Sequence, residues 1–191
     1  MKKVLIALLA VLLLLSFTSC EKDKSEEVIA AYEEYCKVCS VGSWAYASFK
    51  YPESGSVNFT SLTKDNISEN QLSYCLDYLD GSWLDKVDAV EGSVTGTYSK
   101  TDADITFKGV KITYYVEGDS TTKHELTIDG TFKFTQNTDM TTGKVEANMT
   151  INGNAFAFSY TVENSKYTAA SVNGKSVDVR ILNSQQILYM A

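Results

Sequence analysis

The sequence predicts an α+β domain, with two N-terminal helices packed on a curved antiparallel β-meander of seven to eight strands. Three observations lead there. Apolar residues recur at spacings of three and four only early in the chain, within residues 26–50 and 68–81. From Gly92 onward the period is two, the side-chain period of a strand. The runs of period two are joined by turns too short for a crossover, so neighbouring strands must be antiparallel. Helices segregated from strands define the α+β class.

The chain opens with Lys2 and Lys3, then an unbroken apolar run from Val4 to Leu15, then small residues before Cys20. This is the three-part layout of an export signal, and the run is too short for a spanning helix, which needs about 20 apolar residues. "SFTSC" resembles the lipobox of a bacterial lipoprotein signal peptide: Thr18, Ser19 and Cys20 fit, and Phe17 stands where leucine is usual. The resemblance covers residues 1–20 only. It implies that residues 1–19 are removed and that Cys20 carries a diacylglycerol thioether and an acylated N-terminus, with palmitate-type chains. It also implies a bacterial cell envelope location, expected at the outer membrane. Residues 20–25 then form the lipidated cysteine and a polar tether, "CEKDKS", with no apolar residue before Val28.

Residues 26–191 are read as a single domain, with a helical part over 26–90 and the meander over 91–191. Ser25 is the expected N-cap of the first helix, and Glu26 and Glu27 suit the positive end of its dipole. Val28, Tyr32, Tyr35, Cys39, Gly42, Tyr46 and Phe49 fall on one helical face. Pro52 stops anything that reaches it. In "SENQLSYCLDYLDG", Ser68 and Gln71 have capping-box spacing. Leu72, Cys75, Leu76 and Leu79 form the inner face, and Gly81 ends the helix. Between the helices one strand is expected around Val57–Leu62.

The meander follows. Val94 and Tyr98 alternate with polar residues, and Ile105 and Phe107 start the next strand. The phase slips at Lys108–Gly109, the mark of a bulge, and Val110, Ile112, Tyr114 and Val116 continue. Leu126, Ile128, Phe132 and Phe134 form the apolar side of a long strand whose other side carries Thr127, Thr131 and Lys133. Val145, Ala147, Met149 and Ile151 lead into Asn152-Gly153, and Phe156, Phe158, Tyr160 and Val162 leave it. Alternating runs around Asn-Gly are a strong hairpin signal. Asn173-Gly174 joins Tyr167–Val172 to Lys175–Ile181 in the same way, and a last short strand is expected through Ile187–Met190. Long bulged strands curl, so the expected shape is a half-barrel, lipocalin-like in outline only.

Chemistry is sparse. Of 17 basic residues two lie in the leader, leaving 15 against 24 acidic ones and a mature balance of about −9. That excludes nucleic acid as the expected partner, since its binders carry basic surfaces. Cys36, Cys39 and Cys75 remain after the leader. An exported chain permits disulfides, and the expectation is a bridge from Cys75 to Cys36 or Cys39, with three buried thiols as the alternative. "CKVC" lies inside a helical pattern, whereas a redox C-x-x-C opens a helix. His124 is the only histidine, so a structural zinc site lacks ligands and His124 reads as structural. "DNISEN" and "DGSWLDKVD" are acidic but lack EF-hand spacing, and they read as capping and solvated loop. The triplets at Asn58, Asn66 and Asn148 match the N-glycosylation pattern, which carries no weight in a bacterial lipoprotein. No metal or cofactor is expected.

The functional expectation is a membrane-anchored binding module for a hydrophobic small molecule, lipid or envelope protein. Its candidate ligand-facing residues are Phe132, Phe134, Phe156, Phe158 and Tyr160. The alternatives are a structural or envelope-interaction lipoprotein with a filled core and, further off, a hydrolase whose carboxylates meet only in space. An enzyme is not the expectation.

Overall fold

The computed structural model describes residues 26–190. The leader, Cys20, its tether and Ser25 lie outside them. The elements in order are helix α1 (Glu26–Ala47), strand β1 (Gly55–Phe59), a 3-10 turn (Lys64–Asn66), helix α2 (Glu69–Asp80), strands β2 (Leu84–Tyr98), β3 (Asp102–Val116), β4 (Asp119–Gln136), β5 (Gly143–Ile151), β6 (Asn154–Glu163), β7 (Lys166–Val172) and β8 (Lys175–Ser176), and helix α3 (Val179–Met190). The eight strands form an open antiparallel sheet in sequence order.

Local chemistry explains the connections. Asn152 and Gly153 have φ of 48° and 75°, and Asn173 and Gly174 have 46° and 78°. Two successive positive φ values make the turn whose twist matches that of the flanking strands. Each turn asparagine also ties in the adjoining strand: Asn152 Oδ1 accepts from Thr127 N at 2.9 Å, and Asn173 Oδ1 accepts from Ala157 N at 3.2 Å. The phase slip at Lys108–Gly109 is a break in register between Phe107 and Val110, and the Gly109 N–H that the bulge frees donates to Asp129 Oδ1 at 2.7 Å.

Four expectations need correction. β2 starts at Leu84, not near Gly92, so "DGSWLDKVD" is strand in its second half. Register shifts against β3 at three places, the last between Glu91 and Ser93, scramble the alternation that would have shown it. At the start of α2, Ser68 makes no side-chain cap; its carbonyl accepts from Gln71 N and Leu72 N instead. β8 is only two residues long. Ile187–Met190 lies in helix α3 rather than in a strand: Asp178 Oδ1 accepts from Arg180 N at 2.9 Å, a helix N-cap that turns the chain out of the sheet. From α3, Asn183 accepts from Tyr167 N and donates to Tyr167 O, at 2.8 and 2.9 Å. Its amide thus occupies part of the β7 edge that another strand could pair with.

Helix α1 ends at Ala47, three residues before the expected limit. Ser48 N–H and Oγ both donate to Trp44 O. The chain leaving it bridges Phe49 to Ile67. The expected single apolar face understates its burial, because every residue from Val38 to Phe49 is buried. A helix segment buried on all sides carries no charged side chain, and "VCSVGSWAYASF" carries none. One side reaches α2 through Cys75, whose Sγ lies 3.7 Å from Val41 O. Another meets the sheet, where Tyr46 stacks on Phe132 with ring centroids 4.1 Å apart. Gly42 permits the closest approach: a β-carbon there would lie 2.6 Å from Cε1 of Phe158.

The buried set on the sheet includes Leu126, Ile128, Phe132, Phe134, Phe156, Phe158 and Tyr160. Truncating Phe158 to alanine is expected to destabilise the fold by about 3–5 kcal/mol. Thr131→Ala, on the other side of the sheet, should stay within about 0.5 kcal/mol. Urea unfolding of both variants checks the register, and equal tolerance would contradict it. Gly42→Ala is a second check. In an ordinary helix interior it stabilises by about 1 kcal/mol; against Phe158 it should instead destabilise by about 1–3 kcal/mol, with recovery in the Gly42→Ala/Phe158→Leu double variant.

Candidate functional site

The five aromatic positions picked out as ligand-facing sit on β4 and β6, and all are buried. Strand pleating puts Phe132 and Phe134, two residues apart, on one face. Phe158 reaches them edge-on, 6.1 Å from Phe132, and Phe134 is edge-on to Tyr46 at 6.3 Å. Tyr46 continues to Tyr51 and Tyr51 to Tyr98, with centroids 4.9 and 5.3 Å apart. Tyr160 is edge-on to Tyr167 at 5.7 Å. Phe132, Phe134 and Phe158 are therefore brought together around the α1 residues Gly42 and Tyr46. Each such ring pair contributes about 0.5–1.5 kcal/mol beyond area burial.

Cys36, Cys39 and Cys75 are free thiols in the structure. The expected bridge from Cys75 is not formed; Cys75 Sγ points at the Val41 carbonyl. Burial disfavours a thiolate, raising Cys36 to about 11 and Cys75 to about 12 and Cys39 well above its ordinary value. Burial therefore keeps these thiols protonated at neutral pH, which disfavours nucleophilic chemistry. Among the described residues no three His, Cys, Asp or Glu side chains gather as a metal group. His124 lies over Tyr114, its partner in register, with centroids 5.6 Å apart.

The solvent side of the sheet carries a groove of about 310 Å³ bordered by Asp104, Lys133, Lys144 and Glu146. Lys133 pairs with Asp104 at 2.8 Å and Lys144 with Glu146 at 2.9 Å, and Asp102 also lines the groove. All four paired residues are well exposed, so these pairs add little stability.

A more distinctive feature lies where α2 meets β2. Trp83 is 45% exposed and Tyr74 41%, and their centroids are 6.2 Å apart with planes at 68°. Tyr74 stacks on buried Trp44 at 4.7 Å. The backbone beside the rings is tied down, with Leu84 N donating to Ser73 Oγ at 3.2 Å and Glu117 N to Trp83 O at 2.8 Å. Neither residue is among those that the sequence pattern singles out: Tyr74 is off the Leu72–Cys75–Leu76 face, and Trp83 sits in the acidic stretch "DGSWLDKVD". The available signal was two large aromatics at positions where neither helical nor strand phasing buries them.

The raised thiols and phenols set an alkaline limit on stability. In the unfolded chain a cysteine ionises near 9 and a tyrosine near 10. In the fold Cys36 ionises near 11, and Cys75 and Tyr114 near 12. Above pH 9 the unfolded state therefore sheds protons first. The contribution is whole below pH 9 and is lost as pH rises through 11 to 12. Thermal unfolding midpoints should hold between pH 7 and 9 and fall above it. Thiol counting on the unfolded, unreduced Cys20→Ala variant should give three; a count of one would reveal a bridge.

Comparison with protein-family models, with curated proteins and with solved structures found no match.

Proposed function

We propose that this chain is a lipid-anchored envelope lipoprotein whose domain has a filled core and acts through its surface, as a structural or protein-interaction module without catalytic activity. The observation that carries this reading is the all-round burial of Val38–Phe49. The space where a curled sheet would hold an apolar ligand is taken by α1 itself. In this reading the meander is a half-barrel curled about α1, and its register breaks supply the bends. The aromatic positions on β4 and β6 then serve as core, which favours the filled-core reading over carriage of a hydrophobic molecule.

The anchor rests on the leader pattern ending in Cys20. Each buried methylene contributes about 0.8 kcal/mol, and two or more acyl chains hold a protein firmly on a bilayer. The tether "EKDKS" sets the domain off the lipid surface, at the outer membrane in this reading. Wild type should incorporate labelled palmitate, and Cys20→Ala should accumulate as precursor or leave the membrane fraction. Absence of label would remove the anchor. Native mass spectrometry of protein purified in mild detergent from its own host should give the acylated chain alone. A stoichiometric apolar adduct that is lost in Phe158→Ala would restore the carrier reading.

A further inference from the structure

The Tyr74–Trp83 pair is half-exposed at the surface, with Tyr74 seated on the core ring of Trp44. Tyr74, Trp83 and Met140 are the exposed large apolar side chains among the described residues, and two of the three meet in this one place. Trp44, Tyr74 and Trp83 run as a row of rings from helix α1 to solvent. The inner end is fixed, because Trp44 is only 4% exposed. Its indole N–H is buried without an acceptor, so that ring is held by packing and not by a polar partner.

The charge around the pair is one-sided. Asp77 lies three residues beyond Tyr74 on α2, where it shares that helix flank. Asp80 and Asp85 bracket Trp83 in sequence, and Glu117 lies across from Trp83, joined to it through the backbone. None of the four forms an ion pair among the described residues. Asp80 Oδ1 accepts only from Ser82. The neighbouring cations are engaged elsewhere: Lys86 Nζ sits 4.7 Å from the Tyr115 ring centroid, and Lys123 is held by Asp88 at 2.7 Å. Aromatic faces attract cations, Trp most strongly and Arg more often than Lys. Tyr and Trp are the residues that anchor protein interfaces, and an unpaired acidic rim steers a partner of opposite charge.

The geometry points to this platform as the docking site for a basic segment of an envelope protein, with an arginine side chain laid on the Trp83 ring and within the field of Glu117 and Asp85. This rests on the reading that the domain acts through its surface, and it names the partner's chemistry. Arginine fits better than lysine because its planar group stacks on a ring while its N–H fork reaches a carboxylate.

The chain has two tryptophans, Trp44 and Trp83, so indole 15N labelling of the full-length protein in detergent gives two resonances, assigned with Trp83→Phe. The probes are a capped Gly-Arg repeat peptide, its Gly-Lys and Gly-Glu counterparts, and maltoheptaose. The expected result is a saturable shift of the Trp83 signal with the Arg peptide, weaker with Lys and absent with Glu. Trp83→Ala and Glu117→Gln should each weaken binding about 3- to 10-fold, with unchanged thermal midpoints showing that the variants fold. Binding that survives Trp83→Ala undiminished would overturn the proposal, as diffuse attraction to an acidic protein. A shift with maltoheptaose and none with the Arg peptide would overturn it in favour of a sugar platform. A concentration-dependent Trp83 shift without probe would overturn it in favour of a second copy of this chain. Any of these leaves the filled-core reading standing, since the purified protein's mass tests that separately.

Discussion

At Gly42 the backbone of α1 comes so near the Phe158 ring that a β-carbon would lie 2.6 Å from Cε1. That approach lets a helix sink against the sheet far enough to be covered on its other sides. The residues around it follow from the same constraint. Ser40, Ser43, Ala45 and Ala47 are small and buried, and Ser48 returns its hydroxyl to the Trp44 carbonyl at 2.7 Å. A buried hydroxyl bonded back to the last turn of the helix avoids the penalty of an unpaired polar group. Charge is pushed to Lys37 and Lys50 at either end. Large rings fill the remaining gaps, with Tyr46 on Phe132 and Phe49 tilted against Phe107 at 5.4 Å.

The parts of the fold legible in the sequence are those set by neighbours in the chain. Asn-Gly pairs dictate their own backbone, so the β5–β6 and β7–β8 turns could be read directly. The same holds for the Gly109 bulge and for Gly81, which closes α2 with φ of 79°. What could not be read was set by distant residues. β2 begins early because β3 is there to pair with it, and three irregularities hide its alternation. The last apolar run is ambiguous by period; its helix is decided by the Asp178 cap, a local signal that the sequence carries. The all-round burial of α1 is also partly visible, as twelve residues without a charge, although its aromatics fall at one-face spacing.

The same distinction governs the candidate site. Alternation placed Phe132, Phe134, Phe156, Phe158 and Tyr160 on the apolar side of the sheet, but only the three-dimensional position of α1 bears on whether they face a ligand or a helix. In the filled-core reading, the informative residues are the aromatic side chains left half-exposed at the surface. Tyr74 and Trp83 are exposed at the outer end of a ring row that starts at buried Trp44, and their acidic neighbours form no ion pair among the described residues.

The central claim is that α1 is an integral, permanently seated part of the core. Native-state hydrogen exchange of the backbone amides tests it most directly. If the account holds, the amides of Val41 to Ala47 exchange only through global unfolding, as slowly as the most protected amides of β4 and β6. If they exchange far faster than the sheet does, α1 leaves its seat while the sheet stays folded. The apolar face then opens as a pocket, and the filled-core account is contradicted.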